Sequence, residues 1–204
     1  MKKSCFAVLF FMFFGNVSCQ FVNSVNLNAG LIMPTTGQTG TLIGLEVTHK
    51  INNTWSLYLS SGILNWNRNK VLLSWDYSDL SSYNEDNHQM YPIYIGTRMV
   101  ISTIKTFQIY ANLELGYNYL KYNSYQNFII TDESTKKILA FYVNQASRRE
   151  TSENLIGVGF GLGFVQNISN SFSFLVEYKR NTIGNNLDNL RNHFILKSGL
   201  IFNM

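Results

Sequence analysis

Apolar and polar residues alternate along several segments of the chain, most clearly between Phe107 and Tyr119. Every second residue of this segment is apolar, and the residues between them include Gln108, Asn112 and Glu114. Because the side chains of a β-strand point alternately to its two faces, this pattern predicts a strand with one apolar and one polar face. The segment suits a membrane crossing of about 9–11 residues better than a soluble strand of about 5–6 residues.

Eight segments of the chain show this alternation, each bounded by polar or turn-forming residues. The predicted strands lie near Phe21–Met33, Thr41–Ile51, Trp55–Ile63, Gln89–Ile101, Phe107–Tyr119, Ile156–Phe164, Phe172–Lys179 and Phe194–Phe202. Pro92 lies within the fourth of them. Since proline has no N–H to donate, it predicts a weak or unpaired position in the ladder there.

The connections between these strands alternate in length. Two long polar stretches, near Asn67–His88 and Asn123–Thr151, are separated by short links such as Asn52–Asn53 and Ser102–Lys105. In an up-and-down barrel with both ends in the periplasm, every short link falls on the periplasmic side, as in bacterial outer-membrane barrels. The sequence therefore predicts an all-β fold, a single antiparallel transmembrane β-barrel of about eight strands.

A ten-stranded barrel is the alternative, because Phe128–Thr131 and Ile138–Val143 are themselves β-like. The Phe128 arm is shorter than the roughly 9–11 residues of a crossing. Ile129 and Ile130 also point to opposite faces of that arm, so it lacks one apolar side. We therefore expect both arms to form a hairpin outside the membrane that extends the fifth and sixth strands.

The first residues have the features of an export signal. Lys2 and Lys3 precede the apolar stretch Cys5–Gly15, which is too short to span a bilayer as a helix. Cleavage near Cys19/Gln20 would give a signal peptide over 1–19 and a barrel over 20–204, and lipidation at Cys19 is the alternative. Losing Lys2 and Lys3 lowers the formal charge from +4 to +2, so no nucleic-acid partner is implied. Neither a cofactor nor a metal is expected.

The polar face of the strands carries three acids and three bases. These inward residues are Glu46, Arg98, Glu114, Glu177, Lys179 and Lys197. Buried charges are tolerated when paired, so the sequence predicts a salt-bridge cluster inside the barrel. An ion gate is the alternative, and a packed polar filling is favoured because about eight strands leave room only for side chains.

Glycine alternates with apolar residues along the sixth predicted strand. The row comprises Gly157, Gly159, Gly161 and Gly163. Its functional interpretation is a backbone-lined channel. The favoured interpretation is relief of crowding, with room left for the inward rings of Tyr58, Tyr94 and Tyr110.

The histidines His49, His88 and His193 are scattered and lack metal-ligand spacing. His193 is expected at the outer rim, in water, near Glu177 or Lys179. A catalytic role in lipid hydrolysis is the alternative, although no serine lies two residues from His193. Aromatic residues near strand ends are expected to anchor the protein at the membrane interfaces. They are Trp55, Trp66, Trp75, Tyr91, Tyr117, Tyr119, Tyr122, Tyr125 and Tyr178.

The signal-like start, the eight amphipathic strands and the ending HFILKSGLIFNM together resemble the outer membrane protein β-barrel domain family. The plan is similar to that of small OmpA/OmpX-type barrels. One departure is that Phe202 is followed by Asn203 and Met204, where such barrels often end on an aromatic residue. The resemblance implies location in the bacterial outer membrane, contact with its lipid and insertion by the barrel assembly machinery.

Three functions follow as hypotheses. The first is a structural or interaction role, with an extracellular ligand bound through loops 67–88 and 123–151, because loops on a rigid scaffold commonly carry binding. The second is an enzyme acting on outer-membrane lipid, which rests on His193. The third is a narrow pore. A soluble ligand-binding barrel of the lipocalin kind is a further, minor alternative.

Overall fold

A computed structural model describes residues 22–70, 83–135, 138–185 and 190–204 of the chain. Within these ranges no helix is long and apolar enough to cross a membrane. The predicted signal peptide over residues 1–19, the Cys19/Gln20 cleavage site and the anchor Trp75 lie outside the described residues.

The described residues form eight long strands and one strand of two residues. Their bounds are β1 Ser24–Pro34, β2 Gly40–Lys50, β3 Trp55–Trp66, β4 Asn69–Lys70, β5 Tyr83–Ile104, β6 Phe107–Thr131, β7 Ile138–Asn167, β8 Phe172–Gly184 and β9 Arg191–Asn203. The long strands correspond one to one with the eight predicted strands. The short β4, which pairs with the start of β5, was not predicted.

The sheet closes on itself. Each long strand pairs antiparallel with its sequence neighbour, β3 pairs with β5 across β4, and β9 pairs with β1. Following paired residues once around the sheet from Ser24 leads back to Pro34, ten residues further along β1. Such a stagger requires tilted strands, as in a closed barrel. The predicted eight-stranded up-and-down barrel is therefore confirmed, and the ten-stranded alternative is excluded.

The alternation of the sequence divides the barrel into an apolar outside and a largely polar inside. Large apolar side chains such as Ile43, Ile95 and Leu113 are more than half exposed on the outer surface. Polar side chains such as Asn26 and Asn112 are buried inside. Trp55, Tyr91, Tyr117 and Tyr178 lie on the outer surface, as expected of anchors, although only Trp55 lies at the end of its strand. Trp66 and Tyr122 do not lie on the outer surface, because both point inward and are only 5% and 6% exposed. The anchor prediction is wrong for these two.

The ladder between β3 and β5 is interrupted near Pro92, as the sequence predicted. Pairing stops at Ser61–Ile93 and resumes at Leu64–Met90. The hydroxyl of Ser61 donates a 2.9 Å hydrogen bond to the Pro92 carbonyl oxygen within this gap. A side chain thus replaces part of the missing backbone pairing.

Two strands extend far beyond the rest of the barrel. β8 begins to pair with β7 at Ile156, whereas β7 itself begins at Ile138 and pairs with β6 along most of its length. The predicted hairpin extension of the fifth and sixth strands is confirmed. The expectation that all of Asn67–His88 is a loop is wrong, because Tyr83–His88 belongs to β5, and Glu85 and Asp86 in it pair with β6.

The turn of this hairpin is held by Asp132. Its Oδ1 accepts hydrogen bonds from the Ser134 hydroxyl at 2.6 Å and from the backbone N–H groups of Ser134 and Thr135 at 2.8 and 3.0 Å. These bonds, the Ser134 hydroxyl foremost, lower the pKa of Asp132 from 3.8 to about 2. The stabilisation of the turn is therefore complete above pH 3.8 and is lost as the pH falls through about 2.

Candidate functional site

The structure brings the six predicted inward charges together at mid-height of the barrel. Glu46 accepts from Arg98 Nη2 at 2.7 Å through Oε1 and from Lys197 Nζ at 3.2 Å through Oε2. Lys197 Nζ also lies 2.9 Å from Glu177 Oε1, and Arg98 Nη2 lies 3.6 Å from Glu177 Oε2. Two bases from β5 and β9 are thus shared between two acids from β2 and β8.

The remaining acid and base form a second pair. Lys179 Nζ donates to Glu114 Oε1 at 2.6 Å, and Asn181 Nδ2 donates to the same oxygen at 3.0 Å. The Tyr58 hydroxyl donates to Glu114 Oε2 at 2.9 Å. All six charged residues are buried, with at most 7% of each exposed. Because three acids face three bases in this cluster, its formal charges sum to zero.

Tyrosine rings fill the space around this charged layer. The Arg98 guanidinium lies 4.4 Å from the Tyr110 ring centroid and 5.2 Å from that of Tyr58. A Cβ added at Gly157 would lie 2.2 Å from the Tyr94 hydroxyl oxygen, and one added at Gly163 would lie 2.5 Å from that of Tyr110. Gly157 and Gly163 therefore make room for tyrosines, as predicted, whereas Gly159 and Gly161 make room for Glu114 and Lys179.

An apolar plug lies between the charged layer and the outer mouth. It is formed by Ile32, Leu42, Leu64, Trp66, Met90, Leu120, Tyr122, Leu155, Ile183 and Ile195. His88 lies between two rings of this plug, 4.8 Å from Trp66 and 5.2 Å from Tyr122, with each pair within 11° of parallel. Sequence reasoning missed the plug. Its signal was the appearance of two adjacent apolar residues, such as Leu42–Ile43 and Tyr119–Leu120, where strict alternation stops.

His193 belongs to the wall of this plug. It is only 2% exposed and meets the Trp66 ring edge-on at 5.3 Å. Its paired residues on the adjacent strands are Pro34 and Asn181, neither of which is a nucleophile or an acid. The expectation of a rim histidine in water beside Glu177 or Lys179 is therefore wrong. Among the residues that the structure describes, no group of His, Cys, Asp or Glu could hold a metal ion.

Two cavities lie at opposite ends of the filled interior. The periplasmic cavity, of about 310 Å³, reaches inward to Arg98 and Tyr110. The outer cavity, of about 430 Å³, reaches inward to Trp66 and His193. The charged layer and the apolar plug separate them, so the described interior is closed at two levels.

The hairpin beyond the barrel, which we call the ribbon (Ser124–Thr131 and Ile138–Arg149), has a surface of different character. Apart from Ser124, which also pairs with Glu85 of β5, its strands pair only with each other in the described part of the chain. Phe128 and Tyr142 are opposite each other and 58% and 57% exposed, and Ile130 is 49% exposed. Between the pairs Ser124–Arg149 and Gln126–Asn144 the register shifts, and β7 bulges.

The chain belongs to the outer membrane protein beta-barrel domain family, whose model matches residues 15–199. The resemblance seen in the sequence is thereby confirmed, and it places the protein in the bacterial outer membrane. A comparison with curated proteins gives no match.

Similar solved structures include two outer-membrane proteins. Neisserial surface protein A is 13% identical, with 91% of this chain and 97% of that chain covered and a TM-score of 0.55. A major outer membrane protein from Thermus thermophilus is 11% identical, with 89% and 99% covered and a TM-score of 0.51. At these identities the likeness concerns the fold alone.

Proposed function

We propose that this protein is a closed barrel that anchors an extracellular interaction surface, and that this surface is the ribbon. The observation that supports the proposal is the length of β6 and β7, which continue outward well past the last pairing of β8 with β7. A hairpin that only joined two strands would end near the rim. An isolated two-stranded ribbon is at best marginally stable in water, so a long one suggests selection for contact with something else.

The side chains of the ribbon suit a protein partner. Phe128, Ile130 and Tyr142 present apolar and aromatic area in the open, and aromatic residues are enriched at the centres of protein interfaces. Arg148 and Arg149 lie exposed at the bulge beside them. Both edges of the ribbon also carry unpaired backbone groups in the described residues, which a partner strand could pair with.

The test is photo-crosslinking from intact cells. A photoreactive residue at Tyr142 should give a discrete protein adduct, and Phe128→Asp in the same chain should abolish it. The matched control is the same photoreactive residue at Leu113, which faces lipid and should give no protein adduct. Absence of any adduct at Tyr142, or persistence of the adduct in the Phe128→Asp variant, would reject the proposal.

A further inference from the structure

The outer surface of the barrel carries an open polar groove of about 490 Å³ where the outer ends of β2, β3 and β5 meet. It is lined by Gly40, Trp66, Asn87 and His88 and by five exposed or half-exposed polar residues, Thr39, Thr41, Asn65, Asn67 and Gln89. All five are uncharged and carry hydroxyl or amide groups. The described lining of the groove contains no Lys, Arg, Asp or Glu.

The groove begins where the lipid-facing surface ends. On the same strands and the same face, the residues just below it are Ile43, Ile63 and Ile93, which are 71%, 47% and 56% exposed. Tyr91, an outward ring, separates Ile93 from Gln89 along β5. A molecule in the groove would therefore have its polar part among amides and its apolar part against the isoleucines. This is the geometry of a lipid of the outer leaflet.

Backbone features of the groove are specific to this place. Gly40 lets β2 lie close to β3 here, because a Cβ at this position would lie 1.9 Å from the Asn65 carbonyl oxygen. Asn87 has a positive φ of 53° and bulges β5 at the upper wall, and Asn67 Oδ1 accepts from its backbone N–H at 3.4 Å. β5 stays paired on both sides of this bulge, with β3 through Gln89 and His88 and with β4 through Glu85.

The polar groups of the groove have unused hydrogen-bonding capacity. Gln89 Oε1 accepts from the Tyr91 hydroxyl at 3.2 Å, which leaves the amide NH₂ of Gln89 directed elsewhere. Asn65 is exposed, and its amide has no partner among the residues described. Paired donors and acceptors without fixed charge suit hydroxyl groups better than phosphates, which are bound by Arg and Lys.

We propose that this groove binds the sugar headgroup of an outer-leaflet glycolipid, with the acyl chains lying along Ile43, Ile63 and Ile93. The amides of Asn65 and Gln89 hydrogen-bond the sugar hydroxyls, and the Tyr91 ring flanks the junction between sugar and acyl chain. The site is independent of the ribbon and of any partner bound there.

The experiment compares glycolipid retention by purified full-length variants. The protein is reconstituted with rough-type lipopolysaccharide, with the same lipid after dephosphorylation, or with phosphatidylglycerol, and bound lipid is counted by native mass spectrometry. Asn65→Leu/Gln89→Leu should retain both lipopolysaccharide forms at least about fivefold less than the unaltered chain, the loss expected for two hydrogen bonds. Phosphatidylglycerol retention should be equal in both.

The control is Ser152→Leu, an outward residue at the outer rim of β7 away from the groove, which should retain lipid like the unaltered chain. Heat-dependent gel mobility verifies that each variant is folded. Equal glycolipid retention by the double variant would overturn the proposal. Retention that disappears on dephosphorylation would also overturn it, because phosphate and not sugar would then be the bound group.

Discussion

At the residue scale, the barrel interior follows from the two-residue period of its strands. A single choice of inward face places Glu46, Glu114 and Glu177 opposite Arg98, Lys179 and Lys197, and the structure pairs them all. The tyrosines around them reach across the interior because glycines oppose them. Charge pairing and steric fit at this scale both give testable consequences.

Removing one partner of the Glu114–Lys179 pair should destabilise the barrel strongly, whereas removing both charges together should destabilise it less than the two single losses combined. Glu114→Gln or Lys179→Met alone should each lower the free energy of unfolding by about 3–5 kcal/mol, because a buried charge is left unpaired. The double variant should lose clearly less than the sum of the two single losses. Urea unfolding in lipid vesicles measures all three variants, and additive losses would show that the two charges do not depend on each other.

A second prediction concerns Gly157 and Tyr94. Gly157→Ala should cost about 1–3 kcal/mol in unfolding free energy, because its Cβ would overlap the Tyr94 hydroxyl. Tyr94→Phe removes that oxygen and should restore part of the loss in the double variant. Gly163→Ala serves as the contrast, since its Cβ would also meet the Val176 backbone oxygen at 2.6 Å, which no side-chain change can move. If Tyr110→Phe restored the stability of Gly163→Ala as fully as Tyr94→Phe restores that of Gly157→Ala, this explanation would be contradicted.

At the element scale, the strands and their faces could be predicted from sequence, and the exceptions have physical reasons. The six interior charges were placed by parity alone. Trp66 and Tyr122 were misplaced because an aromatic residue near a strand end suits either the interface or the interior. The plug was missed because Leu42 and Leu120 each adjoin an outward apolar residue, so alternation gives no sign of their direction. Tyr83–His88 reads as loop because it is polar on both faces.

The topology of the elements predicts which turns face outward. The chain's two cysteines, Cys5 and Cys19, precede every strand, so single cysteines can be introduced as reporters. Glu133→Cys in the ribbon turn should react with a membrane-impermeant maleimide in intact cells. Asn53→Cys, in the turn between β2 and β3, should react only after the outer membrane is permeabilised. Labelling of Asn53→Cys in intact cells would reverse the orientation.

At the scale of the whole molecule, the barrel interior is filled by two layers of side chains with different chemistry. The charged layer at mid-height is held by ion pairs, and the plug above it is apolar and holds three aromatic rings in a stack. Ions would have to break the first and cross the second. The interior of an eight-stranded barrel is just wide enough for side chains to fill it, as they do here.

Planar-bilayer recording should therefore show no discrete conductance steps for the unaltered protein. The triple variant Leu64→Ala/Leu120→Ala/Ile183→Ala truncates the plug. It should also show no conductance steps, because the charged layer at mid-height still fills the barrel. Steps seen with the unaltered chain would mean that both levels open together.

The pairing of β1 with β9 closes the barrel, so it is the step that completes assembly. The first and last strands of the ring are neighbours, so the ring cannot close before residues near Lys197 have arrived at the membrane. Until β9 pairs with β1, each of these strands lacks one neighbour, and Glu46 lacks its contact with Lys197, which lies 151 residues away in sequence. Because this pairing joins the two ends of the described sheet, we expect closure to be slow, and the unpaired edges of β1 and β9 are open to aggregation until it is complete.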